Sequence, residues 1–543
     1  MTNHTPRFLG GLSRRALLSG LAASAVAPSA FAAAPNMESP SEPPAEAAPP
    51  AEVTPPAVPE GPFSYDWLVG EARRIAAEPF EAHDGDIPSV LADLNYDQYR
   101  DIRYKAERSL WRDTSPYEVQ FHHLGSYYDR PVHVFDVSGG KTVPVPYDQS
   151  AFNMGKNRFE KPLPKGLGFA GLRVHYPLND PEVLDELLSF LGASYFRALG
   201  RGTRYGLSSR GVAVDTGLPS GEEFPAFTRF YLERPKERGQ PLRLYAMLDG
   251  PSLAGAFRFE VSPGQATTMD VTARLFMRED VQRLGLAPLT SMYDHGPNDP
   301  REALDYRPRV HDSQGLLMHT GQDEWVWRPL RNPGRLALSA FQDTAPKGFG
   351  LMQRVRRFDD YEDLEARYDL RPSLWVEPKG NWGRGSVTLL EIPTPDETHD
   401  NIVAFWTPAT PAKAGQDVTL RYVLHWGLEG PNPPLATVRE TRVGSGGLPG
   451  QRNQDGDMRK IVLDFTGGPI AELPPESEVK VVLEASGVET TTPVIQYNPV
   501  TGGRRVFFDL PAAGEKPAEL RCRLTAADGA VLSETWSFQW SRL

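Results

Sequence analysis

The sequence predicts an all-β protein made of a large N-terminal β-sandwich followed by a smaller one. Short β-rich segments recur between Gly, Pro or Asn, among them RLALSAF (335–341), SVTLLEI (386–392) and NIVAFW (401–406). The 49 Gly and 52 Pro are spread along all 543 residues. No P-loop, no Gly-x-Gly-x-x-Gly after a strand and no βαβ rhythm is present, which disfavours a parallel α/β sheet. We therefore expect packed sheets with a few peripheral helices.

Residues 1–32 are predicted to be a signal peptide. Arg14 and Arg15 precede an apolar, small-residue run (16–27), and Ala-Phe-Ala at 30–32 fits a cleavage site. The SRRALL stretch is close to the twin-arginine form, so we predict export to a bacterial periplasm. The run is too short, and too interrupted by Ser, Gly and Pro, for a membrane anchor.

Two folded parts are expected after a spacer. Residues 33–62 are rich in Pro, Ala and Glu and are predicted to be a disordered linker. Residues 63–408 are predicted to form the large sandwich. A boundary is expected in TPATPAKAG (407–415), and the alternating strand VTLRYVLHW is expected to open a second domain. Residues 416–543 then carry strands at the spacing of an immunoglobulin-like sandwich, which we expect to be a support or interface module.

Two helices are predicted inside the large domain. The first runs from Asp180 to Leu191, with Asp180 as N-cap, Pro181 in the first turn, leucines on one face and Gly192 as the stop. The second covers residues 97–111.

Composition excludes several classes of function. The formal net charge of −12 disfavours nucleic-acid binding, which needs clustered Lys and Arg. No later apolar run is long enough to span a bilayer. The single cysteine, Cys522, alternates with leucines on an apolar face and is expected in the core. The histidines lack a ligand spacing, so neither a metal nor another cofactor is expected.

Charged and aromatic residues suggest sugar chemistry instead. Indole faces beside Arg and carboxylates suit a neutral sugar, because the ring packs on the pyranose while its hydroxyls bond to the charges. Glycoside cleavage also needs two carboxyl groups, one acid and one base or nucleophile. Taken alone, an aspartate in H-D-S-x-G fits a turn cap at least as well. The candidates are Arg307, His311, Asp312, Arg371, Trp375, Trp382, Glu397 and Asp400.

Longer motifs resemble one protein family. GLGFAGLRV (166–174), SFLGASYFRALG (189–200), YGLSSRGVAVDT (205–216), RPSLWVEP (371–378) and DNIVAFW (400–406) are similar to motifs of the periplasmic glucan biosynthesis proteins G and D. The resemblance extends from about residue 63 to the C-terminus. It implies a galactose-mutarotase-like sandwich followed by an immunoglobulin-like one. Some members are inverting endo-β-1,2-glucanases, and some relatives cyclise β-1,2-glucan by transglycosylation.

The resemblance also implies roles for the candidates. Asp312, in VHDSQG, and Asp400, in ETHDN, match the family's two essential aspartates and are expected to be the catalytic pair. The expected substrate-binding residues are Arg307, His311, Arg371, Trp375, Trp382 and Glu397. The resemblance further suggests the glucan synthesis machinery at the inner membrane, or a second copy of the chain, as a partner. One departure is Gln314, which replaces an acidic residue beside Asp312.

Two questions stay open at the level of sequence. Asp396 and Glu397 could raise the pKa of Asp400, and Arg309 and His311 could keep Asp312 ionised, but neighbours along a strand need not face each other. The chain could be a hydrolase, a glucan transferase or a glucan-binding assembly protein without catalysis.

Overall fold

The computed structural model describes residues 58–82, 87–300, 305–447, 458–514 and 516–541. The predicted signal peptide and most of the predicted linker lie outside these residues. The described chain is almost entirely β-structure, which confirms the all-β prediction. None of the helices in the described ranges is long and apolar enough to cross a membrane.

Within the described ranges, three α-helices and five short 3-10 helices accompany the strands. Helix α1 starts where the Ser64 side chain accepts a hydrogen bond from the Trp67 amide, and it buries Leu68 and Ala72. The α-helices are α1 (Tyr65–Ala76), α2 (Ser89–Ala92) and α3 (Tyr96–Asp101). The 3-10 helices are Ala106–Arg108, Gln149–Ala151, Phe358–Asp360, Tyr368–Leu370 and Gly468–Ala471.

Thirty-two strands account for the rest of the regular structure in the described ranges. The first sixteen are β1 (Arg103–Tyr104), β2 (Glu118–His122), β3 (His133–Asp136), β4 (Val143–Pro144), β5 (Phe152–Asn153), β6 (Gly171–Asp180), β7 (Val183–Leu191), β8 (Tyr195–Ala198), β9 (Ser208–Arg210), β10 (Val212–Val214), β11 (Ala226–Glu233), β12 (Leu242–Asp249), β13 (Leu253–Ser262), β14 (Thr267–Met277), β15 (Leu284–Ser291) and β16 (Tyr293–His295). The others are β17 (Val310–His311), β18 (Gly315–His319), β19 (Trp325–Pro329), β20 (Ala337–Thr344), β21 (Gly348–Met352), β22 (Ser373–Pro378), β23 (Arg384–Glu391), β24 (Ile402–Pro408), β25 (Asp417–Gly427), β26 (Thr437–Ser445), β27 (Met458–Thr466), β28 (Val479–Ser486), β29 (Val494–Asn498), β30 (Gly503–Pro511), β31 (Ala518–Ala526) and β32 (Thr535–Trp540).

Three sheets contain most of the described strands, and the pairs β1-β5 and β16-β17 form two further two-stranded sheets. The first sheet has the order β2-β6-β7-β8-β9-β15-β24-β23-β20, with β10 also paired to β15. The second has fourteen strands in the order β28-β31-β32-β19-β18-β21-β22-β25-β14-β13-β12-β11-β3-β4. The first sheet packs on the second through aromatic side chains, and the rings of Phe196 and Phe259 lie 5.4 Å apart. The third sheet, β26-β27-β30-β29, packs on the β28-β31-β32 end of the second, as Phe508 contacts Trp536 at 6.4 Å.

Strand β25 belongs to the large sandwich. The sequence placed it at the start of the C-terminal domain, but Leu424 pairs with Met269 of β14 on one side and with Val376 of β22 on the other. The predicted alternation along β25 is confirmed, because Tyr422 and Trp426 are fully buried. Alternation identifies a strand with one buried face and does not specify the sheet that covers it.

Both predicted helices are wrong in whole or in part. Residues 180–191 form the turn of the β6–β7 hairpin and strand β7, with Asp180 paired to Val183. The Asp180 carboxylate accepts a hydrogen bond from the Glu182 amide, so it caps this turn. Helix α3 ends at Asp101, and the segment after it turns away because Leu110 forms a β-bridge with Val119.

Candidate active site

The segment Met292–Tyr293 brings the two candidate aspartates together. The backbone amide of Asp312 donates to the Met292 carbonyl at 2.8 Å, next to the pairing of Tyr293 with His311. On the other side, the side chain of Asn401 accepts from the Tyr293 amide at 2.8 Å and donates to the Tyr293 carbonyl at 2.9 Å. The residues next in sequence to Met292 and Tyr293 continue β15 and β16, so a rigid backbone fixes the distance between Asp312 and Asp400.

Asp312 and Asp400 line one small cavity. It offers about 10 Å³ to the centre of a water-sized sphere, which is room for about one water molecule, and its wall consists of Met292, Asp312, Tyr368, Arg371, Glu397, Thr398 and Asp400. Asp312 is 3% exposed, whereas Asp400 keeps partial access to water. The two carboxyl groups are therefore in different environments within the same cavity.

Asp400 has a raised pKa and is only partly ionised near neutral pH. Burial, followed by the negative charge of Asp312, raises the pKa of Asp400 to about 7, and Arg197 and Arg371 oppose this only in part. Its Oδ2 atom has no hydrogen-bond partner among the described residues. A carboxyl group without a donor loses the stabilisation that favours its ionised form. A large fraction of Asp400 is therefore protonated near neutral pH.

Asp312 has a cationic neighbour. Nη1 of Arg371 lies 3.4 Å from Oδ1 of Asp312, and both side chains are about 5% exposed. Arg371 is held in place by a bond from its Nε to the Ala366 carbonyl at 3.1 Å, and its Cζ lies 5.3 Å from the Tyr368 ring centre. A fixed positive charge at this distance favours the ionised carboxylate.

An ion-pair network closes the other side of the cavity. Oε2 of Glu397 lies 2.8 Å from Nη1 of Arg307 and accepts a bond from the Tyr368 hydroxyl at 3.1 Å. The same Arg307 nitrogen donates to Asp363 at 2.8 Å, and Arg307 also bonds to Asp305. Three loops therefore meet at Arg307, and this network holds the loop that carries Glu397 and Asp400.

His311 lies behind the cavity wall. It is 1% exposed and stacks on Tyr293, with ring centres 5.2 Å apart and an interplanar angle of 3°. Burial, and then the charge of Arg309, lower the pKa of His311 well below its usual value. His311 is therefore neutral. Because the Arg309 guanidinium bonds to Glu440, the positive charge beside Asp312 comes from Arg371 and not from the two neighbours considered in the sequence.

The two candidate tryptophans lie elsewhere. Trp375 packs in an apolar cluster, with its ring centre 6.0 Å from that of Trp325. Trp382 precedes β23 and packs on Trp406 at 6.4 Å. Asp400 lies beyond the opposite end of β23, a strand of eight residues that spans about 25 Å. Neither indole lines the cavity.

Several residues at the site escaped the sequence analysis. Tyr368 and Thr398 line the cavity, and Arg197 and Arg210 act on the charge of Asp400. The available signal was proximity, because Tyr368 lies three residues before Arg371, where the RPSLWVEP motif begins, and Thr398 follows Glu397. Among the described residues, no group of three or more His, Cys, Asp or Glu side chains is arranged to hold a metal ion.

The fold and the cavity define an all-β protein with two carboxyl groups in different surroundings within one polar cavity. Residues 63–540 match the family described as "Periplasmic glucan biosynthesis protein, MdoG", and the chain belongs to this family. The family description places its members in the periplasm and in glucan biosynthesis.

Named relatives cover most of the chain. Glucans biosynthesis protein G of Ralstonia nicotianae is 47% identical over 483 residues, which cover 88% of this chain and 95% of the relative. The protein of the same name from Rhodopseudomonas palustris is 46% identical over 98% of this chain and 100% of its own length. The probable glucans biosynthesis protein D of Shewanella oneidensis is 45% identical over 89% of both chains. Relatives named G and D are similar to the same extent, so identity alone does not assign a branch.

Proposed function

We propose that the chain acts in the periplasm on β-1,2-glucan as an inverting endo-β-1,2-glucanase. Asp400 is the general acid and Asp312 the general base. The observation that carries the proposal is the contrast within the pair: the pKa of Asp400 is raised to about 7, so this carboxyl is about half protonated at neutral pH, and Asp312 lies beside Arg371 in the same cavity. Pairs of carboxyls whose environments differ in this way are the usual arrangement for acid–base work on a glycosidic bond.

The proposed reaction uses one water molecule per bond. Asp400 gives its proton to the glycosidic oxygen as the bond from the anomeric carbon to that oxygen breaks. A water molecule on the opposite face attacks the anomeric carbon while its proton passes to Asp312. The products are a shorter chain with a new reducing end and a leaving chain with a free hydroxyl. Exchange of one proton with solvent at each carboxyl restores the starting state.

The residues around the pair have supporting roles. The positive charge of Arg371 favours the ionised form of Asp312, which can accept a proton. Glu397, tied to Arg307 and Tyr368, holds the loop of Asp400 against the cavity. A sugar hydroxyl in place of the water would turn the same chemistry into transglycosylation, and the assay described next separates these two outcomes.

The test is incubation of the purified protein with linear β-1,2-glucan, beside Asp312→Asn and Asp400→Asn. Reducing ends and product masses are followed together. We expect shorter linear products that contain added water, and a loss of rate in each variant of roughly 100- to 10,000-fold. The control is Asp323→Asn, which changes an exposed carboxylate paired with Lys347 and is expected to keep the full rate.

Two results would contradict the hydrolase. Products lighter by one water than the matching linear glucan would show cyclisation by a transferase. Retained glucan binding without any change in mass would show a binding protein, and the two aspartates would then have no catalytic role.

A further inference from the structure

A buried histidine, His295, lies at the end of β16, three residues after Met292 of the cavity wall. Only 6% of His295 is exposed, and its backbone is fixed by pairing with Val310 of β17. Its Nδ1 atom lies 2.9 Å from Oδ2 of Asp294, and its Nε2 atom lies 3.0 Å from the backbone carbonyl oxygen of Arg307. Both ring nitrogens therefore have a partner at hydrogen-bond distance.

The two partners of His295 are hydrogen-bond acceptors. A backbone carbonyl and an ionised carboxylate can only accept, so each ring nitrogen has to donate. A neutral imidazole has one N–H and satisfies one partner, whereas the imidazolium has two and satisfies both. Burial lowers the pKa of His295, but its hydrogen bonds to Asp294 and to the Arg307 carbonyl outweigh burial and raise it. The negative charges of Asp294 and Asp305 act in the same direction.

The surroundings of His295 suit a positive charge. Further charged or titratable groups lie on the segments next to it: Asp299 in the turn after β16, Asp305 and Arg307 in the facing loop, and Arg309 and His311 around β17. Arg309 is paired with Glu440, and His311 is neutral. Bonds from Arg307, with a smaller contribution from the charge of His295, lower the pKa of Asp305 to about 2. Asp305 is therefore ionised beside the ring.

The carbonyl that His295 binds belongs to the arginine that holds the loop of Asp400. Nη1 of Arg307 lies 2.8 Å from Oε2 of Glu397, which is three residues before Asp400. The amide and Nε of Arg307 both donate to Asp305, at 2.9 and 3.0 Å, so its backbone and side chain form one compact turn. A shift of the Arg307 backbone would therefore move its guanidinium and, through Glu397, the loop that carries Asp400.

We propose that His295 is a positioning residue for this loop: as an imidazolium it ties the Arg307 backbone to Asp294 and so keeps Arg307 in place to bind Glu397. Loss of the ring proton leaves one of the two acceptors without its donor, and the Arg307 backbone is then held less firmly. The contribution is present below the usual histidine pKa of 6.5 and is lost as pH rises through the raised value. The proposal rests on the proposed function for the role of Asp400.

The test compares wild type with His295→Gln across pH. A glutamine amide can donate to the Arg307 carbonyl but carries no charge, as in the neutral imidazole. At pH 6 we expect His295→Gln to lower kcat on linear β-1,2-glucan roughly tenfold, the effect of one lost charge-assisted hydrogen bond. The ratio of the two rates should approach one by pH 9, because wild type then loses the same charge. Titration of Asp400 is common to both proteins and cancels in the ratio.

Two further variants complete the comparison. The matched control, His319→Gln, changes a histidine whose Nε2 lies 3.2 Å from the exposed Asp323, and it is expected to match wild type at every pH. Asp294→Asn keeps the ring of His295 but removes a negative charge that raises its pKa, so the loss of rate should begin at lower pH than in wild type. This variant also tests the proposal if His295→Gln fails to fold. A rate ratio that stays constant from pH 6 to 9 would overturn the proposal, because a purely structural role does not depend on the charge.

Hydrogen exchange measured by mass spectrometry separates this proposal from the proposed function. At pH 6.5 we expect the backbone amides of residues 394–401 to exchange roughly tenfold faster in His295→Gln than in wild type, because their loop opens more often. If wild type cleaves nothing but this difference is found, the hydrolase is wrong and the positioning role of His295 is supported. If wild type cleaves the glucan but His295→Gln leaves the exchange unchanged, the positioning role is overturned and the hydrolase stands.

Discussion

At the scale of single residues, the fold destabilises the ionised form of Asp400. The sequence located it and Asp312 correctly as a candidate pair, but it suggested the wrong cause for an altered pKa. Asp396 caps the Thr398 amide at 2.8 Å, and Glu397 is bound to Arg307. Burial and Asp312 raise the pKa of Asp400 instead. The burial of Asp400 and its proximity to Asp312, 88 residues earlier, are properties of the folded chain, and no local motif contains them.

The raised pKa of Asp400 predicts how stability depends on pH. Its folded-state pKa of about 7 exceeds the usual value of 3.8, so the native state loses stability as pH rises between these values. Asp400→Asn removes this loss. We expect the variant to be more stable than wild type by roughly 1–3 kcal/mol at pH 8, allowing for partial solvent access. The difference should vanish near pH 4. Urea unfolding at both pH values measures it, and equal stability at pH 8 would contradict the assignment.

The same carboxyl predicts the pH dependence of catalysis. A general acid must be protonated, so kcat is expected to fall as pH rises through about 7 and to approach a tenfold loss per pH unit above it. Initial rates on linear β-1,2-glucan between pH 5 and 9 give the profile. A rate that increases through pH 8 would show that Asp400 acts as the base, and the roles of the two aspartates would be exchanged.

At the scale of elements, buried ion pairs join the strands at the site to the C-terminal sheets. Arg309, three residues before Asp312, bonds to Glu440 of β26, and both side chains are about 6% exposed. Farther along, Arg354 bonds to Glu534, which is fully buried. Gln314, the departure noted in the sequence, accepts from the Arg354 amide at 3.2 Å and donates toward the Arg439 carbonyl. An amide suits this position because it can do both, whereas an ionised carboxylate can only accept.

Breaking one of these pairs is expected to be costly. Glu440→Ala leaves the buried Arg309 without its carboxylate partner, so we expect a loss of about 3–5 kcal/mol in the free energy of unfolding. The matched control, Asp323→Ala, removes an exposed partner of Lys347 and is expected to cost less than about 1 kcal/mol. Urea denaturation of the three proteins gives the comparison. Equal effects of the two substitutions would mean that the Arg309–Glu440 pair is not a structural link.

Strands were predictable where one face is buried, and helices were not. VTLRYVLHW forms the expected strand because its alternation records which face meets the core. Residues 180–191 were misread because the leucines of a bulged hairpin fall at helical spacing: Leu187 and Leu188 are fully buried while Leu184 is 41% exposed. The two aspartates were recognisable through family motifs. The positions of Trp375 and Trp382 were not, because they depend on how the sheets pack on each other.

At the scale of the whole molecule, the two sandwiches share one sheet. Strand β32 runs parallel to β19, with Val326 paired to Thr535 and Trp327 to Trp536. The apolar cluster that contains Trp375 also extends from the large sandwich into the C-terminal one. A boundary that cuts through a continuous sheet and a common core does not separate independent units.

This architecture predicts cooperative unfolding. Differential scanning calorimetry of residues 63–543 is expected to give one transition whose calorimetric and van't Hoff enthalpies agree, although the chain is longer than most two-state proteins. The shared sheet is the reason, because loss of β32 would expose the edge of β19. A truncated protein that ends at residue 415 lacks β25, so we expect it to be insoluble. Two separated transitions would contradict this prediction.

The pairing of β32 with β19 also affects folding during synthesis, because the two strands are far apart in the sequence. Trp327 leaves the ribosome more than 200 residues before Trp536, the partner with which it is paired. At roughly 5–20 residues per second, this is a wait of about 10–40 seconds. During that time the edge of β19 and its apolar cluster lack the cover that β32 later provides. We therefore expect the unfinished chain to be prone to association through this edge until β32 has been made.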